Sequence, residues 1–321
     1  MRAFVTGGTG FIGGHLARAL RERGDQVVAL VRSPARAEEL REMGCELCEG
    51  SLSATDSLTD GVRGADAVFH VAAMYKVGIP RSERPAMYEA NVRGTERVID
   101  AAVEARVLRI VHVSTIGAFG NTHGKVVDET YRHPGDGYLS AYEETKVLAH
   151  RVAEDRIAKG APVIIVQPGG VYGPGDSSDL GNLMDRIRRG KLPFKLFPES
   201  GFNFVHVDDI AQGILLAHDK GRIGESYVIG GQIATMGEMI EAISRASGRR
   251  PPRRTLPGWV VKAGVPFGPI VGRLMGVGPN LAESIRSADG VTYWATDRKA
   301  REELGYVPRN LETGLRESFA T

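Results

Sequence analysis

The chain has 321 residues, a length that predicts about two domains and a sizeable core. Its composition, 42% hydrophobic and 25% charged, is ordinary for a globular protein, and its net charge of +2 gives no reason to expect nucleic acid or an anionic membrane as a partner. A glycine-rich turn begins at residue 7, before a secretory signal could form, so we expect a cytoplasmic protein.

The glycine-rich segment follows the first predicted strand, at residues 3–5. Gly7, Gly10 and Gly13 come next, and apolar residues then recur at helical spacing through Leu20. Gly7 permits a tight turn with positive φ, Gly10 removes the Cβ that would hold a pyrophosphate away, and Gly13 lets the helix lie close to the strand. Free N–H groups at the helix start favour phosphate. The segment predicts a phosphate-binding turn, with a ligand-free glycine hairpin as the alternative.

Residues 6–13, with the sequence TGGTGFIG, resemble the fingerprint of the extended short-chain dehydrogenase/reductases. The resemblance implies an α/β fold, a Rossmann-type doubly wound parallel sheet with a smaller C-terminal substrate-binding α/β region. It also implies a nicotinamide dinucleotide as cofactor and a homodimer as the common assembly. The cofactor contacts that it implies in this segment are Gly7, Thr9, Gly10, Phe11 and Ile12.

The end of the second predicted strand bears on the choice between NAD and NADP. Residues 27–31 form a continuous apolar run, typical of a buried parallel strand. In this fold an acidic residue usually follows and binds the ribose 2′-hydroxyl of NAD, whereas here Arg32 follows, with Arg36 four residues later. Cations suit the 2′-phosphate of NADP, so the sequence predicts NADP(H), with NAD possible. If Arg32 only faces solvent, this preference has no basis.

Residues 45–52 resemble the third strand of the family and its contact with the adenine. Relatives usually carry Asp-Leu where this chain has Ser51 and Leu52, so the hydrogen bond is weakened while Leu52 keeps the apolar contact. The same stretch holds the two cysteines, Cys45 and Cys48. A single C-x-x-C supplies half of the ligands of a zinc site, so we expect reduced thiols and no metal.

The fourth predicted strand, at residues 65–73, ends in small side chains. Ala72 and Ala73 would let the backbone approach a cofactor ribose. His70 lies within the apolar run, and we interpret it as a core or strand-end residue, with a ligand role as the alternative. The wall of the substrate site is expected to begin directly afterwards, at Met74, Tyr75 and Lys76.

A helix is predicted over residues 89–103. Asn91 and Thr95 on this helix resemble a family position that supports the active site, although capping and packing explain them equally well. Residues 108–115 then predict a fifth strand that ends in the hydroxyls of Ser114 and Thr115. Ligands of this fold bind at the carboxyl ends of the strands.

Tyr142 and Lys146 lie four residues apart and therefore on one face of a predicted helix. A cation near the phenol favours phenolate and lowers the pKa of Tyr142, making it a usable proton donor and acceptor. Such pairs also occur by chance on surfaces, but this one follows a glycine fingerprint and a hydroxyl-ended strand. The family pattern implies that Thr115 is the catalytic hydroxyl, with Ser114 as the alternative, and that Tyr142 and Lys146 also contact the cofactor. Tyr138 has no lysine at this spacing.

After a sixth predicted strand at residues 161–166, the alternation of strand and helix lapses. We therefore expect a second region to begin near residue 170. The expected nucleotide-binding domain comprises residues 1–169 with 204–232, and the expected substrate-binding domain comprises residues 170–203 with 233–321.

Later segments add further expectations. The resemblance implies cofactor contacts from Pro168 and Val171. Asp208 and Asp209 are expected to cap a helix over residues 210–218, with catalysis as the alternative. We also predict a strand over residues 225–229, a closing helix over residues 298–306, and a lid or substrate-domain helix over residues 259–278. Charges and Pro or Gly breaks make a membrane span improbable for that last stretch, with peripheral association as its alternative.

Two classes of enzyme share these motifs. Nucleotide-sugar epimerases and dehydratases oxidise and re-reduce a sugar with bound NAD, whereas dihydroflavonol-reductase-like and 3β-hydroxysteroid-dehydrogenase-like members transfer hydride with NADP. Sugar-nucleotide members usually carry R-P-x-N-V-Y-G-P and later R-D-F-V-H. This chain has Gln167 and Gly170 in the first pattern and Phe202 and Asn203 in the second, so it lacks that Asn and both Arg. A diphosphate needs such charge-assisted partners.

Apolar and aromatic residues stand in the predicted substrate region instead, although some will belong to the core: Met74, Tyr75, Tyr172, Met184, Phe202, Trp259 and Phe267. The sequence therefore predicts an NADP(H)-dependent reductase of a ketone or aldehyde on a hydrophobic or aromatic small molecule. A sugar epimerase or dehydratase with NAD is the alternative, because residues 206–231 also resemble hopanoid-associated sugar epimerases. A non-catalytic NADP sensor is a third possibility, but it would have no use for Thr115, Tyr142 and Lys146.

Overall fold

The computed structural model describes residues 1–135, 137–267 and 280–320. Within them the larger sheet has seven strands, all paired in parallel. These strands are β1 (Arg2–Thr6), β2 (Gln26–Val31), β3 (Glu46–Glu49), β4 (Ala67–His70), β5 (Arg109–Val113), β6 (Val163–Pro168) and β9 (Ser226–Ile229).

The strand order β3-β2-β1-β4-β5-β6-β9 confirms the doubly wound Rossmann-type fold. The chain first steps outward from β1 to β3, then returns to the other side of β1 with β4. At this reversal the loops after β1 and β4 leave in opposite directions, which opens a crevice at the carboxyl ends of the two strands. Ligands of open α/β sheets bind in such a crevice.

Helices cover both faces of the larger sheet. The α-helices of the described residues, including those that pack elsewhere, are α1 (Phe11–Glu22), α2 (Glu38–Glu42), α3 (Thr55–Val62), α4 (Arg84–Tyr88), α5 (Gly94–Glu104), α6 (Ala141–Ala158), α7 (Asp179–Arg188), α8 (Val207–Lys220), α9 (Met236–Ala246), α10 (Gly258–Ala263), α11 (Leu281–Arg286) and α12 (Leu311–Ala320). Helices α1 and α8 share one apolar core with the sheet, and α3, α5 and α6 share the other. Because both faces are covered, the central strands are continuous apolar runs.

A smaller three-stranded sheet lies after the sixth strand. It contains β7 (Gly170–Tyr172), β8 (Gly201–His206) and β10 (Gln232–Thr235), with β8 in the middle. A third apolar core joins this sheet to α7, α9 and α12. The division of the chain into two domains stays a prediction.

Helix α8 begins earlier than expected, and the predicted capping by two aspartates is wrong. The N-cap is His206, whose backbone is extended and whose Nδ1 accepts a hydrogen bond from the Asp208 N–H at 3.3 Å. Asp208 and Asp209 therefore lie inside the first turn. Their carboxylates pair with His15 at 2.6 Å and with Arg309 at 3.0 Å, respectively, so they join α8 to α1 and to the C-terminal segment.

Three other predicted segments differ in their boundaries or helix type. The helix predicted over residues 89–103 is preceded by α4, has a π-helical turn at Glu89–Arg93 and continues as α5. The closing segment forms a π-helical turn at Ala300–Leu304. In the stretch 259–278, α10 and a short turn reach residue 267, and the rest lies outside the described residues. None of the described helices has the length and hydrophobicity needed to cross a bilayer.

Candidate active site

The glycine turn after β1 is packed against the start of the loop after β4. Gly7 has a φ of +79°, which favours glycine, and a Cβ at this position would come within 2.7 Å of the Ala72 nitrogen. A Cβ at Gly13 would lie 2.0 Å from the Gly7 carbonyl oxygen. The Ala72 N–H donates to the Thr6 hydroxyl at 3.3 Å. The two predicted cofactor segments therefore meet at the crevice between β1 and β4.

The start of α1 leaves backbone donors for an anion. Its N-cap, Gly10, makes no side-chain capping bond, and no acidic residue lies in the first turn. Thr9 and Gly10 are exposed, while Phe11 and Ile12 are partly buried at the helix start. The first N–H groups of a helix have no partner within it, and their partial positive charge suits a phosphate. A pyrophosphate fits this turn.

Arg32 and Arg36 lie at the adjacent edge, directly after β2. Both are exposed, and within the described residues neither guanidinium forms a hydrogen bond or ion pair. Ser51 and Leu52 follow β3 next to them. The Ser51 hydroxyl hydrogen-bonds that of Ser53 at 2.9 Å. The Leu52 side chain packs closely on Gly94, where a Cβ would lie 2.8 Å from Leu52 Cδ1. The edge therefore offers two unpaired cations and one apolar side chain.

The remaining predicted cofactor residues continue along this carboxyl edge. Ala72 and Ala73 follow β4, with Ala73 exposed. Pro168 is the buried last residue of β6, and Val171 is partly buried in β7. Because all strands of the larger sheet are parallel, the ends of β1, β2, β4, β5 and β6 share one edge, and the residues that fit a dinucleotide are distributed along it.

Helix α6 carries the predicted tyrosine and lysine to the end of β5. The Ser140 hydroxyl caps this helix by accepting from the Glu143 N–H, and the carboxylate of Glu283 accepts from the Ala141 N–H at 3.1 Å. Tyr142 lies in the first turn. One turn later, Lys146 is 3% exposed, and its Nζ donates to the Val113 carbonyl oxygen at 3.1 Å. Glu283 comes from the C-terminal part of the chain, which thus fixes the start of the helix.

The two candidate hydroxyls at the end of β5 have different surroundings. Ser114 is buried, and its Oγ hydrogen-bonds His150 Nδ1 at 2.9 Å, beneath α6. Thr115 is partly exposed, and its Oγ1 accepts from the Gly117 N–H at 3.1 Å, which leaves its O–H available as a donor. This arrangement favours Thr115 over Ser114 as the hydroxyl that can meet a substrate.

The expected lowering of the Tyr142 pKa is wrong for this structure. Burial, followed by the neighbouring Tyr75 phenol, raises the pKa of Tyr142 above its usual value. Burial also lowers the pKa of Lys146 to about 8, because the low-dielectric interior disfavours its ammonium form. The amine is hydrogen-bonded to the Val113 carbonyl, and its charge is not among the causes that shift the pKa of the phenol. Tyr142 is therefore held in the protonated form.

Buried polar side chains form hydrogen bonds around the loop after β4 and the start of α6. Asn91, in the π-helical turn, donates to Thr145 Oγ1 at 3.0 Å and to the Met74 carbonyl at 3.1 Å. His70 lies between Thr6 and Thr95, with hydrogen bonds of 2.8 and 2.9 Å, and burial lowers its pKa to about 3. His70 is thus the satisfied, neutral core residue that the sequence suggested. Asn91 ties the loop after β4 to α6.

Aromatic side chains surround Tyr142 on the substrate side. Tyr75 meets it edge to face, with ring centroids 4.9 Å apart, and Met74 packs beside it against the same apolar cluster of Ile79, Met87 and Ala141. Phe202 on β8 stacks on Tyr293 at 5.6 Å. Burial and the charge of Glu143, followed by Tyr75 and Tyr142, raise the pKa of Tyr293, which sequence reasoning missed because no motif marks it.

The other predicted substrate-side residues lie elsewhere. Tyr172 and Met184 belong to the core of the smaller sheet, and Trp259 is 72% exposed on α10. The Phe267 side chain lies outside the described part of the structure. Lys76 is exposed and pairs with Glu83 at 3.3 Å. Of the residues predicted to line the substrate site, Met74, Tyr75 and Phe202 therefore remain as those nearest to Tyr142 and Tyr293.

The carboxyl groups of Asp176 and Asp179 lie near Tyr75. Desolvation in the cleft, followed by the charges of Asp179 and Asp176, raises the pKa of Tyr75. The positions at which sugar-nucleotide enzymes carry their diphosphate-binding Asn and Arg hold Gly170, on β7, and Phe202. Neither side chain can donate a charge-assisted hydrogen bond. The predicted substrate-binding surface beside Tyr75 thus contains apolar side chains and carboxyl groups.

Comparison with known proteins agrees with this geometry. The sequence model of the NAD dependent epimerase/dehydratase family matches residues 3–230. A dihydroflavonol 4-reductase-like protein from Synechocystis sp. is 33% identical over 80% of this chain and 76% of its own length. The 4-hydroxy-2-methyl-3-oxo-4-farnesyl-3,4-dihydroquinoline-1-oxide ketoreductase of Stigmatella aurantiaca is 31% identical, covering 96% and 92% of the two chains.

A solved structure is similar over the same extent. The dTDP-glucose 4,6-dehydratase DesIV of Streptomyces venezuelae, crystallised as a double mutant with NAD bound, superposes with a TM-score of 0.80 at 26% identity, covering 100% of this chain and 96% of that one. The chain is therefore an NAD(P)-dependent oxidoreductase of the NAD dependent epimerase/dehydratase family, within the extended short-chain dehydrogenase/reductases.

Proposed function

We propose that the chain is an NADP(H)-dependent reductase of ketones or aldehydes on hydrophobic or aromatic small molecules. The observation that carries this proposal is the surface next to Tyr142. Tyr75 and Met74 line it, Phe202 occupies the position of a diphosphate-binding arginine, and Asp176 and Asp179 stand nearby. An apolar carbonyl compound gains contact area there, whereas a diphosphate would meet carboxylates and would lack a charge-assisted donor at positions 170 and 202.

The residues that would hold the cofactor are those of the carboxyl edge. Gly7, Gly10 and the start of α1 would bind the pyrophosphate, and Arg32 and Arg36 would bind the 2′-phosphate of NADP. When bound, the reduced nicotinamide supplies a hydride to the carbonyl carbon. The unpaired state of both arginines within the described residues supports NADP(H) over NAD(H).

Three side chains would handle the proton and the developing charge. Thr115 Oγ1 would donate a hydrogen bond to the carbonyl oxygen, and Tyr142 would give that oxygen its phenolic proton. The raised pKa of Tyr142 keeps the phenol protonated before the reaction, which suits reduction. The Lys146 ammonium would then stabilise the phenolate that forms.

A substrate panel tests the proposal. NADPH consumption is followed spectroscopically with aromatic and long-chain ketones and aldehydes, and isomerisation of UDP-glucose is assayed in parallel with NAD. The proposal expects turnover of at least one carbonyl compound with NADPH and none of the sugar nucleotide. The relation to DesIV makes the second assay necessary. Turnover of the sugar nucleotide alone would contradict the proposal.

A further inference from the structure

Helix α6 carries four titratable residues in a row. Tyr142, Lys146, His150 and Glu154 recur at every fourth position, so they follow one another along one side of the helix. Tyr142 and Lys146 lie at the proposed reaction site. The side chain of Glu154, at the other end, is 32% exposed. The row runs from the reacting groups to solvent.

His150 lies between the buried groups at the end of β5 and the partly exposed Glu154. Its Nδ1 lies 2.9 Å from the Ser114 hydroxyl, and its Nε2 lies 3.6 Å from a carboxylate oxygen of Glu154. Arg132 contacts the same carboxylate at 3.1 Å. The interaction with His150 is the main cause that lowers the pKa of Glu154. One ring nitrogen therefore faces the sheet and the other faces the solvent-exposed end.

Unpartnered polar groups fill the layer between Lys146 and His150. His112, on β5, is 1% exposed and stacks on His70 at 5.3 Å, yet both of its ring nitrogens lack a protein partner within the described residues. The side-chain amide of Gln167, on the neighbouring β6, is also buried without one. Buried polar atoms almost always have a partner, and ordered water commonly supplies it. Water in this layer would lie within reach of both Lys146 and His150.

The charges around the layer suit proton passage. The groups that face His150 are Ser114 and His112 from β5 and Lys146 and Glu154 from α6, and Arg132 from the preceding loop pairs with Glu154. Burial is the largest cause that lowers the pKa of His112, so its ring stays neutral and can hydrogen-bond water as both donor and acceptor. Helix α5, which also packs on α6, directs its Asp100 to Arg156 instead.

We propose that His150 links the buried amine of Lys146 to solvent at Glu154, through water held by His112 and Ser114. This proposal rests on the proposed reductase function. In each reduction the carbonyl carbon gains a hydride and its oxygen gains the proton of Tyr142. The phenolate then takes a proton from Lys146, and the neutral amine takes one from solvent along Glu154 and His150. His150 is a relay residue, since it lies behind the lysine rather than on the substrate.

A crystal structure at high resolution tests the path without an assay. The proposal expects at least one ordered water within hydrogen-bond distance of a His112 ring nitrogen, connected to Lys146 and to Ser114 or His150. A dry layer in well-defined density would overturn it. This readout does not depend on which substrate the enzyme uses.

Variants test the relay in the reaction. His150→Gln can keep the hydrogen bond to Ser114 but cannot carry a proton, so we expect kcat to fall about tenfold, KM to stay unchanged and the solvent deuterium isotope effect on kcat to rise. Imidazole should restore turnover to His150→Ala. Asp155→Asn, exposed on the same helix, serves as the matched control. Unchanged kcat and isotope effect in His150→Gln would contradict the relay.

A second variant guards against a folding defect. Glu154→Gln changes the partly exposed end of the row, and we expect the same isotope effect with a smaller loss of kcat. If His150→Gln does not fold and Glu154→Gln behaves as the wild type, the relay is wrong. A wild type without any reductase activity would contradict the proposed function alone, and the water path would still be decided by the crystal structure.

Discussion

The glycine turn after β1 and the aromatic cluster around Tyr142 present opposite chemistry to a ligand. The turn offers backbone N–H groups and, at the next strand end, the cations Arg32 and Arg36, which have no partner among the described residues. The cluster offers the rings of Tyr75 and Phe202, with carboxyl groups beside them. The glycine turn is therefore suited to phosphates, whereas the carboxyl groups beside the aromatic cluster would repel them. The difference supports the proposal that the cofactor is the anionic ligand and that the substrate is apolar.

Removing the phenol from the cluster should have the largest effect. Tyr142→Phe keeps the ring that packs against Tyr75 but has no proton to donate, so we expect kcat to fall by about a thousandfold with cofactor affinity unchanged. Steady-state turnover and fluorescence titration with NADPH measure the two quantities. Tyr138→Phe, four residues earlier, is the matched control and should behave as the wild type. Turnover retained in Tyr142→Phe would end the assignment.

On the turn side, Arg32→Ala should weaken NADPH binding. Loss of a charge-assisted contact with the 2′-phosphate predicts a rise of about 10-fold to 100-fold in KM for NADPH and little change for NADH. Arg18→Ala, exposed on α1, is the control. An equal rise in KM for NADPH and NADH would show that Arg32 does not bind the 2′-phosphate.

The pH profile of reduction tests the buried lysine. Because burial lowers the pKa of Lys146 to about 8, its ammonium is lost as the pH rises through that value, and stabilisation of the developing phenolate is lost with it. We expect kcat to decline above about pH 8, by up to about tenfold per pH unit. A plateau extending to pH 10 would contradict the lowered pKa.

Burial of Lys146 should also lower the free energy of unfolding. A base whose pKa is lower in the folded state than in the unfolded chain destabilises the fold while it is charged, and this penalty diminishes as pH rises from the folded to the unfolded pKa. Lys146→Met should therefore be more stable than the wild type at pH 7. The difference should shrink by about 1 kcal/mol per pH unit between pH 8 and 10. Urea denaturation of both proteins measures it, and a constant difference would argue against the shift.

The nucleotide side of the molecule was more predictable than the substrate side. Gly7, Gly10 and Gly13 act through backbone conformation and close approach, which local sequence expresses directly, and the apolar strands between them and residue 166 follow from periodicity. Tyr142 and Lys146 share a helix face for the same reason. The cofactor and catalytic roles of all these residues stay predictions, as does the homodimer.

Long-range contacts explain what the sequence did not reveal. Tyr293 interacts electrostatically with Tyr142 from a segment 151 residues later, and the Glu283 carboxylate binds the start of α6 from a similar separation in sequence. The sequence predicts Asp208 and Asp209 as the cap of α8 because aspartate is a common capping residue, whereas a histidine one position before the helix accepts that bond. The expected fall in the Tyr142 pKa counted a nearby cation and omitted desolvation, which the fold decides.

Deuterium transfer tests the central claim most directly. NADPH carrying deuterium at the nicotinamide C4 position on the transferred face is incubated with the wild-type enzyme and an aromatic ketone, and the alcohol is analysed by mass spectrometry. The account predicts one deuterium per product molecule, bound to the former carbonyl carbon, and almost none with Tyr142→Phe. An unlabelled product, or label exchange only into a sugar nucleotide, would contradict it.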